Sequence, residues 1–184
     1  MRDAHQPRLI EGKHAILVVF AIGLIGAVGS WWYHRTAQRR VLEFWSPEAA
    51  ALIVNAPRAE ALRLAPAEAG GDDGQDVDFG GLHFAVIERV DVSRAPGLIH
   101  LRQGLLHDGS FDWPAPSDDC RPQWDYALRF SADERSATVL VAFNCRRVKL
   151  AGSAREVAIA PLAAGLERFL AEQFDRTKRA ASKP

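Results

Sequence analysis

Apolar positions run unbroken from Ala15 to Tyr33 (AILVVFAIGLIGAVGSWWY), 19 residues without a charge. At 1.5 Å rise per residue they make a helix of about 28 Å, close to the thickness of a bilayer core. Trp31, Trp32 and Tyr33 close one end, where amphipathic rings favour the headgroup level. The pattern predicts a transmembrane helix over 15–33. A cleaved signal peptide competes, with Ala27-Val28-Gly29 as a small-residue cleavage site. The aromatic cluster directly after that site favours an uncleaved anchor. A buried core helix fits less well, since the segment has no polar face. Gly23 and Gly26 are three apart, not at the four-residue spacing of a helix-dimer motif.

After the anchor the periodicity changes. Residues 34–57 read as a juxtamembrane helical region. Ser46-Pro47-Glu48 is a helix start: a capping hydroxyl, a proline whose missing donor costs nothing there, and an acid at the positive end of the dipole. Asn55-Ala56-Pro57 stops that helix. Ala59–Leu64 alternates as a short strand, and Ala65–Gly81 reads as a Gly/Asp-rich loop. Leu82–Val92 is the next strand, with Phe84, Ile87 and Val90 breaking strict alternation, as either a bulge or a half-buried edge would. Ser93 is a candidate cap for a helix over 95–107, whose Leu98, Leu101 and Leu105 share one side. Asp125–Ser131 alternates cleanly. Ala137–Leu150 reads as one long strand, central in the sheet because Val139–Phe143 is apolar on both faces. Arg155–Ala160 is a further short strand. The last helix begins near Pro161, with Leu162, Leu166, Phe169, Leu170 and Phe174 as its buried stripe.

The expected architecture is therefore α+β: a 1–14 cytoplasmic tail, a single transmembrane helix at 15–33, and a soluble domain over 58–176. That domain is a small antiparallel sheet packed with two to three helices. A disordered basic tail over 177–184 follows.

Charge adds one exclusion. The chain of 184 residues carries 23 Lys+Arg against 23 Asp+Glu. Such balance argues against a nucleic-acid binder. Arg2, Arg8 and Lys13 on one flank of the anchor match Arg35, Arg39 and Arg40 on the other, so the positive-inside rule gives a tie. A short tail before a first helix is expected inside, which puts the domain outside the cytoplasm.

Cys120 and Cys145 are the most informative pair. Folding the 126–130 strand onto 138–143 with Ser131 facing Ala137 sets Gln123 opposite Cys145. Cys120 then lies three residues further on, past the bend at Pro122, within reach of a disulfide. Such a bridge persists in an oxidising compartment. Two buried thiols, a redox pair without C-x-x-C spacing, and a zinc site recruiting His83, His100 or His107 are the alternatives. His100 and His107 stand at i, i+7 rather than the i, i+4 of a metal pair, and no metal is expected. The Asp72, Asp73, Asp76 and Asp78 loop lacks a third alternating oxygen ligand before Phe79-Gly80, so calcium is not expected either.

Phe111, Trp113, Trp124 and Tyr126 read as core beside the bridge rather than as a pocket. Asp112, Ser117, Asp118 and Asp119 lie nearby, but no G-x-S-x-G turn or zinc-protease motif accompanies them. No catalytic residue or cofactor is expected. The candidate partner surface is Arg146, Arg147 and Lys149. On a strand Arg147 and Lys149 point the same way, toward an anionic partner.

The stretch from Asp91 to Leu150 resembles a recurring, uncharacterised bacterial domain of envelope or lipoprotein type. The resemblance rests on Gly97–Arg102, Leu105–Asp108, Phe111–Trp113, Cys120–Pro122, Tyr126–Phe130 and Val139–Cys145. It implies an envelope location and supports the paired cysteines, but implies no activity. The chain lacks a lipobox cysteine, so the helix would anchor it rather than a lipid. The expected function is a single-pass inner-membrane protein presenting a periplasmic binding module to an envelope or membrane protein partner, besides the bilayer itself. An accessory subunit of a membrane complex and an envelope enzyme are the other classes.

Overall fold

The computed structural model describes residues 12–66, 75–113 and 119–181. The chain forms two compact units, Met1–Arg39 and Arg40–Pro184. Helix α1 (Gly12–Trp45) contributes to both. In the first unit its stretch Ala15–Trp32 is long and apolar enough to cross a membrane, and none of it is buried. A signal sequence meets the same description.

The second unit is α+β, built on a curled, wholly antiparallel sheet. Its helices are α2 (Pro47–Asn55), α3 (Leu98–Leu106) and α4 (Ala160–Ala181). Its strands are β1 (Arg58–Pro66), β2 (Gln75–Asp78), β3 (His83–Asp91), β4 (Tyr126–Ala132), β5 (Arg135–Ala142), β6 (Arg147–Leu150) and β7 (Glu156–Ala158). The order across the sheet is β2-β3-β1-β4-β5-β6-β7.

Alternation sorts the strand residues onto two buried faces. Ala61, Leu128, Phe130, Val139, Val141, Val148 and Val157 meet the helices, whose Ile53, Leu105, Leu166, Leu170 and Phe174 complete the main core. Leu62, Leu64, Ala127 and Leu140 point the other way, into a smaller cluster closed by Phe79 and Phe84. Val41, Phe44 and Trp45, at the end of α1, also belong to the main core. Trp45 donates its indole N–H to the Leu105 carbonyl at 2.7 Å. The compact unit therefore begins at Arg40, ahead of the expected boundary at 58.

Of the two readings of the broken alternation in β3, the bulge is the one present. Pairing passes from Arg63↔Glu88 to Leu64↔Val86, and Ile87 is the extra residue, exposed at the kink. β5 is buried from Ala137 to Ala142, as a central strand must be.

Five expectations need correction. β2 lies within the stretch read as loop: Gln75–Asp78 pairs with His83–Val86. Ser93 does not cap α3. The helix starts after Gly97 (φ 90), because Pro96 bars the residue before it from helical geometry. Ser93 Oγ instead accepts from the Ala59 N–H at 2.9 Å. The expected long strand over 137–150 is two strands, β5 and β6, hinged where Arg146 takes φ 50. The β4–β5 register is Ser131↔Ser136, one residue from the expected pairing. A two-residue turn, Asp133-Glu134, joins the strands, with Asp133 at φ 54. Finally, α4 continues through residues 177–181, part of the expected disordered tail, whose residues 182–184 lie outside the described residues.

Candidate functional site

The cysteines are joined. Cys120 and Cys145 form a disulfide with their Cα atoms 5.8 Å apart. Asn144 fastens the same junction: its Oδ1 accepts from the Gln123 N–H at 3.0 Å, and its Nδ2 donates to the Arg121 carbonyl at 2.9 Å. The segment around residues 120–123 is thus tied covalently and by two hydrogen bonds to the β5–β6 turn.

The predicted basic surface is divided. Arg146 occupies the turn and is exposed. Arg147 is only 8% exposed and pairs with Glu156 at 3.4 Å. β7 lies beside β6, and its acid meets the arginine that was expected to face a partner. Lys149 sits over the Trp124 ring, 5.3 Å from its centroid. Arg147 and Lys149 do share a face, but that face is largely covered.

The aromatic residues near the bridge go to different places. Phe111 and Trp113 stack with each other and with Phe44. Tyr126 meets Phe143 and Phe174. Trp124 borders the smaller cluster. They do not line one pocket. Trp31 and Trp32 are exposed, and the Tyr33 side chain lies outside the described residues. Asp72, Asp73, Ser117 and Asp118 also lie outside them. Among the described residues no three His, Cys, Asp or Glu side chains converge as metal ligands.

The candidate site lies elsewhere, in a cleft of about 540 Å³ at the sheet rim. One wall is the first turn of α2, with Ser46 and Glu48. Another is β2 and its turn, with Asp78 and Gly80. The floor is the paired ends of β4 and β5, with Arg129, Arg135, Ser136 and Thr138. The curl of the sheet makes this cleft. It brings the β2–β3 turn against the β6–β7 turn so closely that a Cβ on Gly80 would overlap the Gly152 Cα.

Local chemistry sets the polar groups. Ser46 caps α2 by accepting from the Ala49 N–H at 3.3 Å, as its position predicts. Asp78 accepts from the Gly81 N–H at 2.6 Å and holds the β2–β3 turn. Among the described residues neither Arg129 nor Arg135 is in an ion pair. Thr138 is 7% exposed and lines the same cleft. Two guanidinium groups, two carboxylates and three hydroxyls share one opening. That set suits a ligand with both acceptor and donor groups, held by charge-assisted hydrogen bonds.

Sequence reasoning did not find this site. Its residues come from α2, β2, β4 and β5, and only the curl assembles them. The one local signal is Thr138, a polar residue opening the apolar run of β5.

No protein-family model, curated protein or solved structure matches the chain.

Proposed function

We propose that this chain is a single-pass protein of the cytoplasmic membrane that presents residues 40–184 as a binding module on the periplasmic side. The observation that carries this reading is the disulfide between Cys120 and Cys145, in a domain joined to an exposed apolar helix. A disulfide of this kind persists where thiols are not kept reduced. An 18-residue apolar stretch with no protein covering it finds its proper solvent in lipid. The rim cleft supports a binding role, since it offers charged and hydroxyl groups around a ligand-sized opening.

The test is labelling of intact cells with a membrane-impermeant maleimide, with and without prior reduction. Both cysteines are expected to react only after reduction, on a protein that keeps an N-terminal epitope and stays in the membrane fraction. Free thiols that react only after lysis would overturn the topology. Loss of the epitope, with release of the domain, would replace the anchor with a cleaved signal peptide.

A further inference from the structure

We propose that a second cleft, formed by the start of β1, the β3–α3 connection and α4, binds the phosphate group of a ligand. Its volume is about 540 Å³. Arg58, Arg94 and Arg176 all line it, together with Asp91, Ser93 and Gln173. The six residues come from three parts of the chain, and the cleft does not overlap the rim site.

The charge is unbalanced in one direction. Three arginines against one aspartate leave an excess of two positive charges. Asp91 is already committed: its Oδ1 accepts from the Ser93 N–H at 2.8 Å. Glu172 touches Arg176 at 3.6 Å, an exposed contact one helical turn away that takes little of the charge. Arg58 and Arg94 are exposed; both act on Asp91 through space, and among the described residues neither has a carboxylate within ion-pair distance. A phosphate dianion neutralises this excess, and guanidinium forks match its oxygen geometry.

Gln173 supplies an independent observation. It is only 5% exposed, and its Nε2 is buried without a hydrogen-bond partner. A buried amide donor left unpaired is unfavourable in the free protein. Gln173 and Arg176 stand at i, i+3, so both belong to the helix face that borders the cleft. Rotation of the amide about its last bond gives a bound phosphate oxygen a neutral donor among the three cationic ones.

The proposal does not depend on which side of the membrane the domain occupies. The phosphate is either that of a soluble ligand or that of a lipid headgroup, and the experiment separates them. Full-length protein in non-ionic detergent is titrated with inorganic phosphate by calorimetry at constant ionic strength. The same protein in nanodiscs of phosphatidylcholine, with and without phosphatidylglycerol, is melted by tryptophan fluorescence.

Saturable phosphate binding that weakens at least tenfold in Arg58→Gln/Arg94→Gln supports a soluble ligand. A Tm rise confined to phosphatidylglycerol discs, and lost in the same variant, supports a headgroup. Gln173→Leu is expected to weaken the response tenfold while leaving the ligand-free Tm unchanged or higher. A residue of purely structural importance would not combine these effects. The proposal fails if neither probe gives a response, or if the response survives Arg58→Gln/Arg94→Gln.

Discussion

Arg102 holds a helix end that no local rule accounts for. Its Nη1 donates to the Val54 carbonyl at 2.6 Å and its Nη2 to the Ala56 carbonyl at 2.7 Å. These are C-terminal carbonyls of α2, which the helix itself leaves without partners. Burial pushes the Arg102 pKa down, and Phe130 lies 5.4 Å from the guanidinium. Arg102→Ala should cost about 2 kcal/mol in urea unfolding followed by tryptophan fluorescence. Arg102→Lys should recover less than half of that, because an ammonium cannot reach two carbonyls as a planar fork does. Asp125 carries the opposite sign. Burial raises its pKa. Its folded-state pKa therefore stands above the unfolded value of about 3.9. The stability this group contributes is present below that value and lost as pH rises through the folded pKa. Asp125→Asn should accordingly raise Tm at pH 7, and the difference should close below about pH 4. The start of α2 was legible because Ser46, Pro47 and Glu48 act within one turn. The Arg102 staple was not, since it joins residues 46 and 48 positions apart.

Elements were legible where periodicity alone decides them, and misread where turn chemistry does. The stripe of α4 and the bulge at Ile87 follow from spacing, and both are present. The β4–β5 register differs by one from the expected pairing because a turn of only two residues, Asp133-Glu134, joins the strands. The structure shows why that slip is not neutral. Leu128 faces Val139, both in the helix-side core, whereas the expected partner Leu140 belongs to the opposite cluster. The disulfide expectation survived because Asn144 takes the place opposite Gln123 and Cys145 is the next residue. β2 was hidden because four residues among glycines and aspartates carry little pattern. The curl of the sheet also rests on a turn. Gly80 has φ +70 and packs directly on the Gly152 backbone. Gly80→Ala would meet both obstacles together. It should cost about 2 kcal/mol or more. It should also expose the Phe79–Phe84 cluster, read as earlier binding of a hydrophobic dye during thermal melting. Gly81→Ala meets no atom within 4 Å and carries only the strain of its positive φ, so it should cost less.

At the scale of the molecule, the apolar N-terminal helix and the cysteine pair were visible in sequence, while both clefts were not. The clefts draw their charged residues from segments that only the sheet curl and the docking of α4 bring together. The bridge has a definable energetic role. It spans a sequence separation of 25 and lies at the β5–β6 turn, outside both hydrophobic clusters. Its stabilisation should therefore act mainly through the unfolded chain, at about 3 kcal/mol for a loop of this length in the chain-entropy model. Reduction of the wild-type protein and Cys120→Ser/Cys145→Ser should lower Tm by similar amounts, and reductant should do nothing further to the double variant. The near-UV spectrum at room temperature should persist in both, because the core aromatics Trp45, Phe130 and Phe174 keep their neighbours. The Asn144 bonds to Arg121 and Gln123 span the same gap and hold the junction when the sulfurs part. Asn144→Ala in the double variant should then lower Tm more than the same substitution in the bridged protein. Equal losses in the two backgrounds would mean that the bridge and the Asn144 latch act independently.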